Sequence, residues 1–140
     1  MRTLILFLLI FIYCPKLQGA GIVSHYNPAV EELKGTVETQ TFPGPPNYES
    51  IENGDEIERC WFLRLDHPID VVANQPTTDL GWKTEKKVEI LHMAIINDGD
   101  WKKVKNGKRV KVAGKLFNRQ NGHHHSRVLI EVDRIDEIKK

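Results

Sequence analysis

The chain has 140 residues, 40% of them hydrophobic and 28% charged, with a formal net charge of +1. That length holds one ordinary domain with its own core. The near balance of charge argues against a general nucleic-acid binder, which presents a strongly basic domain.

The chain opens on Met1 and Arg2, continues with the apolar run from Leu4 to Tyr13, and then meets Pro15, Gly19, Ala20 and Gly21. A positive start, a short apolar core and a zone of small residues are the parts of a secretory signal peptide. We expect residues 1–20 to be that signal, cleaved near Gly19 to Gly21, and the product to be periplasmic or secreted. An uncleaved anchor is disfavoured because a spanning helix needs about 20 apolar residues. Lipidation at Cys14 lacks a small-residue setting, since Tyr13 precedes it and Pro15 follows. No stable membrane insertion is expected after cleavage.

Without Arg2 and Lys16, the 20 Lys and Arg fall to 18 against 19 Asp and Glu. Cys60 is then the single thiol, so no internal disulfide can form and the fold must rest on its apolar core.

Residues 21–140 read as one domain of five strands. Lys34 to Phe42 alternates and is rich in β-branched residues. Pro43, Pro45 and Pro46 then oppose a ladder, and Asn53 with Gly54 suggests a turn. Glu58 to Leu65 is the second strand, with Trp61, Leu63 and Leu65 on one face. His67 and Pro68 interrupt it, and Ile69 to Val72 continues after a bend. Ala73 to Glu85 reads as a loop, followed by a central strand from Lys86 to Ile96.

Asp98 or Asp100 can cap a short helix that ends by Gly107. Two further strands, Gly107 to Phe117 and Ser126 to Ile135, are joined by a turn-rich segment. Three strands, a short helix and two strands is the order of an OB-fold, so the expected class is mostly β: a five-stranded OB-like barrel with a helix between strands three and four.

Charge is uneven. Glu31 to Glu58 holds eight acidic residues and one lysine, whereas Trp101 to Ile130 holds nine Lys or Arg and no carboxylate. The two segments either neutralise each other or leave a basic face for an anionic partner.

Three consecutive histidines, His123 to His125, invite a metal reading. In the fourth strand Val110, Val112, Gly114 and Leu116 face the interior, and in the fifth Val128, Ile130 and Val132 do, leaving Leu129 outside. Carrying that parity back turns His124 and Ser126 inward and His123 and His125 outward. A zinc site on His123 and His125 would need a third ligand. A hairpin closed over Asn118 to Gly122 instead sets Phe117 opposite His123 and Lys115 opposite His125.

The outward pair is then either a solvated patch or part of a binding surface with Lys115, Phe117 and Arg127. The proline-rich loop offers Tyr48 as a large amphipathic contact. It either connects two strands stiffly or packs across the barrel to meet a partner.

"FPGPPNYESIENGDEIERCWFLRLDHPIDV" and "GKRVKVAGKLFNRQNGHHHSRVLIEV" together resemble the small exported bacterial proteins grouped as domain of unknown function 4431. The positions that carry the likeness are Pro43, Gly44, Pro45, Pro46, Asn47, Tyr48, Gly54, Asp55, Gly114, Phe117, Gly122, His123, His124 and His125. The resemblance implies export and one small β-domain. That both motifs belong to the pattern suggests that they meet in space, in a shared site at the barrel end.

Catalysis is not signalled. Cys60 stands in no fixed relation to a histidine, Asp55 and Asp66 are far apart in the chain, and no Ser, His and carboxylate grouping or phosphate loop is present. The expectation is a non-enzymatic binding module, with Tyr48, Asp55, Lys115, Phe117, His123, His125 and Arg127 as binding residues and no resident cofactor. Its partner would be an envelope or secreted protein or a small anionic ligand, and not nucleic acid. An inhibitor or immunity-type protein directed at an envelope toxin or hydrolase is the first alternative, and a zinc protein using His123 and His125 the second.

Overall fold

The computed structural model describes residues 21–73 and 82–139. The expected signal segment, 1–20, lies outside the described residues, as does 74–81 of the expected loop. Six strands appear in chain order: β1 (Ile22–His25), β2 (Val30–Pro43), β3 (Ile57–Val72), β4 (Glu85–Ile95), β5 (Arg109–Asn118) and β6 (Val128–Glu137). A 3-10 turn, Ile51–Asn53, precedes β3, and one short helix, α1 (Asp98–Trp101), lies between β4 and β5.

Strands β2 to β6 form a closed barrel. β2 runs antiparallel to β3 and β5, β3 to β4, and β5 to β6, and a parallel pairing of β4 with β6 completes the ring. With α1 between the third and fourth barrel strands, this is the OB arrangement expected from the order of elements. β1 was not anticipated: its four residues add in parallel to the far end of β3, pairing Ile22 with Ile69 and His25 with Val72.

The core fills the barrel. Val37, Leu63, Val71, Leu91, Val110, Val112, Leu116, Ile130 and Ile135 are wholly enclosed, and Tyr26, just after β1, joins them with its ring near Trp82. Burial pushes the Tyr26 hydroxyl up to about 12. That hydroxyl donates to the Lys83 carbonyl at 2.8 Å and accepts from Asn118 Nδ2 at 2.9 Å.

Several expectations change in detail. β3 does not break at His67 and Pro68; it continues as one strand, and a register shift against β4 between Arg64 and Ile69 absorbs the irregularity. Pro43 ends β2 as the partner of Ile57, a position that tolerates the missing N–H. The helix is capped by Asn97, whose side chain accepts from the Gly99 N–H at 3.0 Å, and not by Asp98 or Asp100. It ends before Gly107, which instead takes φ 80° in the turn before β5.

The charged segments do meet in part. β2 lies beside β5, so Glu32 reaches Lys111 at 3.4 Å and Arg134 at 3.1 Å. Arg109 pairs with Asp66, and Lys108 with Glu137. These pairs are exposed and contribute little to stability.

Gly114 marks the tightest approach between β5 and β6. A Cβ there would stand 2.1 Å from the Glu131 carbonyl oxygen, at the register shift of this pair. Gly114→Ala should therefore destabilise the fold by about 1–3 kcal/mol through overpacking. A lower urea midpoint with an unchanged slope would confirm this, and an unchanged midpoint would refute it.

Candidate functional site

Alternation in β3 turns Glu58, Cys60 and Phe62 away from the interior face that carries Leu63. Their neighbours across the sheet lie on the same outer wall. Phe42 pairs with Glu58, His92 with Phe62, Leu129 with His92, and Phe117 with Leu129. Yet Phe62 and Leu129 are each 1% exposed and Cys60 is 4% exposed. Leu129 does point out of the barrel, as expected, but it is covered. Two loops, 44–56 and 119–127, lie at this wall: His125 stacks on Phe42, Ser126 bonds His92, and Tyr48 meets His123.

The first loop is organised by Asp55. Its carboxylate accepts from the backbone N–H groups of Asn47, Glu49 and Ser50 at 2.9, 2.8 and 2.9 Å, and from Asn47 Nδ2 at 3.2 Å. The N–H of Ser50, then those of Glu49 and Asn47, hold this carboxyl below its usual range. The turn around Asp55 presents Tyr48 at φ 60°, a left-handed conformation that non-glycine residues seldom adopt.

The second loop is wider than the hairpin expected over Asn118 to Gly122. Arg119 donates to the Arg127 carbonyl at 3.2 Å, and the strand pairs are Phe117 with Leu129 and Lys115 with Glu131. The histidines therefore precede the strand, and the inward parity given to His124 and Ser126 does not apply. His124 Nδ1 accepts from the Gln120 N–H at 3.0 Å, and its ring lies edge-on to Phe117. The Ser126 hydroxyl accepts from the His92 N–H and donates to the Val128 carbonyl, which ties the loop to the wall.

Glu58 joins the two loops. One carboxylate oxygen meets His123 Nδ1 at 2.7 Å and the other meets His125 Nε2 at 3.0 Å. A carboxylate can only accept, so both ring nitrogens donate. His123 Nε2 is then left to accept from the Tyr48 hydroxyl at 2.7 Å. The result is a continuous line, Tyr48 to His123 to Glu58 to His125.

Burial would raise the Glu58 carboxyl, but hydrogen bonds from His125 and His123 outweigh it and hold the pKa below the usual range. The His125 ring stacks on Phe42, with centroids 3.8 Å apart and planes within 3°. His92, under the loop, accepts the His125 N–H at 3.3 Å, and burial, then His125 and His124, pushes its pKa down to about 4. Burial, then the nearby Glu58 charge, pushes the Cys60 thiol up to about 11.

Of the residues singled out from sequence, Tyr48, His123 and His125 come together. Phe117 reaches the group through His124. Asp55 is buried inside its own loop and shapes it, so it offers no binding face. Arg127 lines a depression beside His125 while pairing with Glu85 at 2.7 Å, and Lys115 borders another with Phe117, Gln120 and Trp82. Asp55 and Asp66 make no carboxylate pair, since Asp66 is held by Arg109.

Glu58, Phe42 and His92 were missed. A readable signal existed: Cys60 and Phe62 are apolar on the face opposite Trp61 and Leu63, which implies that the outer wall is covered.

Residues 90–136 match the family described as Domain of unknown function (DUF4431). The resemblance read from the sequence is borne out over this segment, while the proline-rich motif lies outside the matched residues. The matched segment runs from β4 to β6 and includes His92, Gly114, Phe117 and the three consecutive histidines. No curated protein and no solved structure matches the chain.

Because its pKa is lowered, the Asp55 carboxylate contributes fully above the ordinary value of 3.8 and is lost as pH falls through the lower folded value. In Asp55→Asn the amide groups of Glu49 and Ser50 should exchange with solvent faster at neutral pH, while those of β5 keep their protection. Equal protection of Glu49 and Ser50 in both proteins would remove Asp55 from this role.

Proposed function

We propose that the chain is an exported, non-enzymatic binding module that works through the surface shared by the 44–56 and 119–127 loops. The observation that carries this reading is the hydrogen-bonded line from Tyr48 to His125. It holds the two loops in one shape before any partner arrives, and preorganisation of this kind lowers the entropy cost of association. The 44–56 loop also carries apolar area, with Ile51 40% exposed, and in the other loop the His123 side chain is 52% exposed.

Binding suits this arrangement better than catalysis. The Tyr48 hydroxyl, both His123 nitrogens and both Glu58 oxygens already have partners within the line. A protein suits it better than a small anion, because the 44–56 loop exposes Ile51 as apolar area and Arg127, beside His125, is already paired with Glu85.

The partner is then a protein of the envelope or secreted compartment, and export rests on the leader-like segment 1–20. An inhibitor or immunity role toward a toxin or hydrolase is the same reading with a consequence for the partner's activity.

A photo-crosslinking residue at Ile51, in the 44–56 loop, tests this directly in living cells. We expect a discrete adduct that is absent when the crosslinker replaces Lys34, an exposed residue far along β2, and that weakens severalfold with Tyr48→Ala. The same adducts from both positions would remove the loop surface as the binding face.

A further inference from the structure

Glu58, Cys60 and His125 place one potential donor atom each within 4.8 Å of one another on the outer wall. We propose that these three side chains form a site for a thiophilic divalent cation of the zinc type. Tetrahedral zinc with bonds of about 2.0–2.3 Å sets its donors about 3.3–3.8 Å apart, so the group has to close by about 1 Å. One thiolate, one imidazole and one carboxylate are a donor set that zinc accepts.

The surroundings fit this role. A thiol and a carboxylate side by side under cover repel each other once both are charged, and a divalent cation turns that repulsion into shared ligation. The thiol proton leaves to solvent as the sulfur coordinates; where His125 binds through Nε2, its hydrogen bond to Glu58 is given up and the ring proton moves to Nδ1. Orientation is already provided: Phe42 fixes the plane of the His125 ring, and His123 Nδ1 holds one Glu58 oxygen while Tyr48 holds His123. Partners that orient a ligating carboxylate in this way tune affinity for the ion.

His123 is not a ligand here: it lies outside the group whose donor atoms converge, and its Nδ1 holds the Glu58 oxygen. The site therefore differs from the His123 and His125 pair expected from sequence: it keeps His125 and takes Glu58 and Cys60 from a strand more than sixty residues earlier.

The experiment is a cobalt(II) titration of the full exported chain, reduced and free of any affinity tag, with zinc competition to give its affinity. We expect saturation at one equivalent with a thiolate-to-cobalt charge-transfer band in the near ultraviolet. Cys60→Ser and Cys60→Ala should lose the band while keeping the far-ultraviolet circular dichroism of the parent. His123→Ala should keep the band and bind zinc about 10–100-fold more weakly. His67→Ala, away from the loops, should change nothing.

Absence of saturable binding overturns the proposal. Saturation without the thiolate band overturns it too, and assigns the ion to the histidine run alone. Neither result would alter crosslinking from Ile51, so the cation site and the partner surface fail separately.

Discussion

Closure of the barrel depends on a short parallel seam, in which His92 to Ile95 of β4 pairs with Leu129 to Val132 of β6. Parallel pairing is slightly less stable per residue than antiparallel pairing, and here it has to join strands separated by α1 and β5. The side chains facing inward along it, Met93, Ile95, Ile130 and Val132, are all buried. Those facing outward begin with His92 and Leu129, so the residues that complete the ring also form the floor beneath the histidine loop. Fold and candidate site share one structural line.

The outer wall shows how polar groups can be covered without being stranded. Glu58 loses water on burial, and two imidazole N–H groups replace it and keep the carboxylate charged. His92 meets the opposite outcome. Burial, then the nearby His125 and His124, disfavours its charged form, and the ring stays neutral at physiological pH with its Nδ1 accepting a backbone N–H. Cys60 is pushed toward the thiol by the same cover, which makes it unreactive unless a cation compensates for the charge. Three titratable groups within one cluster thus differ in state because their partners differ.

Local pattern carried the barrel strands well. Val110, Val112 and Leu116 are interior because β5 alternates without interruption, and Val128, Ile130 and Val132 follow the same rule. The pattern failed where the backbone leaves regular geometry. β1 was invisible because its residues, Ile22 to His25, are mostly exposed and pair only with the far end of β3. In β4, Val88 and Leu91 are both interior, three residues apart, which a strict two-residue period forbids and the slipped register permits.

Periodicity and the order of elements by themselves determined five barrel strands and the position of the helix. The resemblance to the family, carried by its motifs, is what suggested that Tyr48 and the histidines meet. Tertiary structure alone decided what the histidines touch. The loop 119–127 is irregular, so strand parity cannot be carried back through it, and the turn around Asp55 sets the direction of Tyr48 through backbone hydrogen bonds. Glu58 and Cys60 come from a strand distant in sequence, and only the folding of two loops onto one outer wall brings them to His125. Periodicity reads which face of a strand a residue occupies; it cannot read what a loop lays over that face.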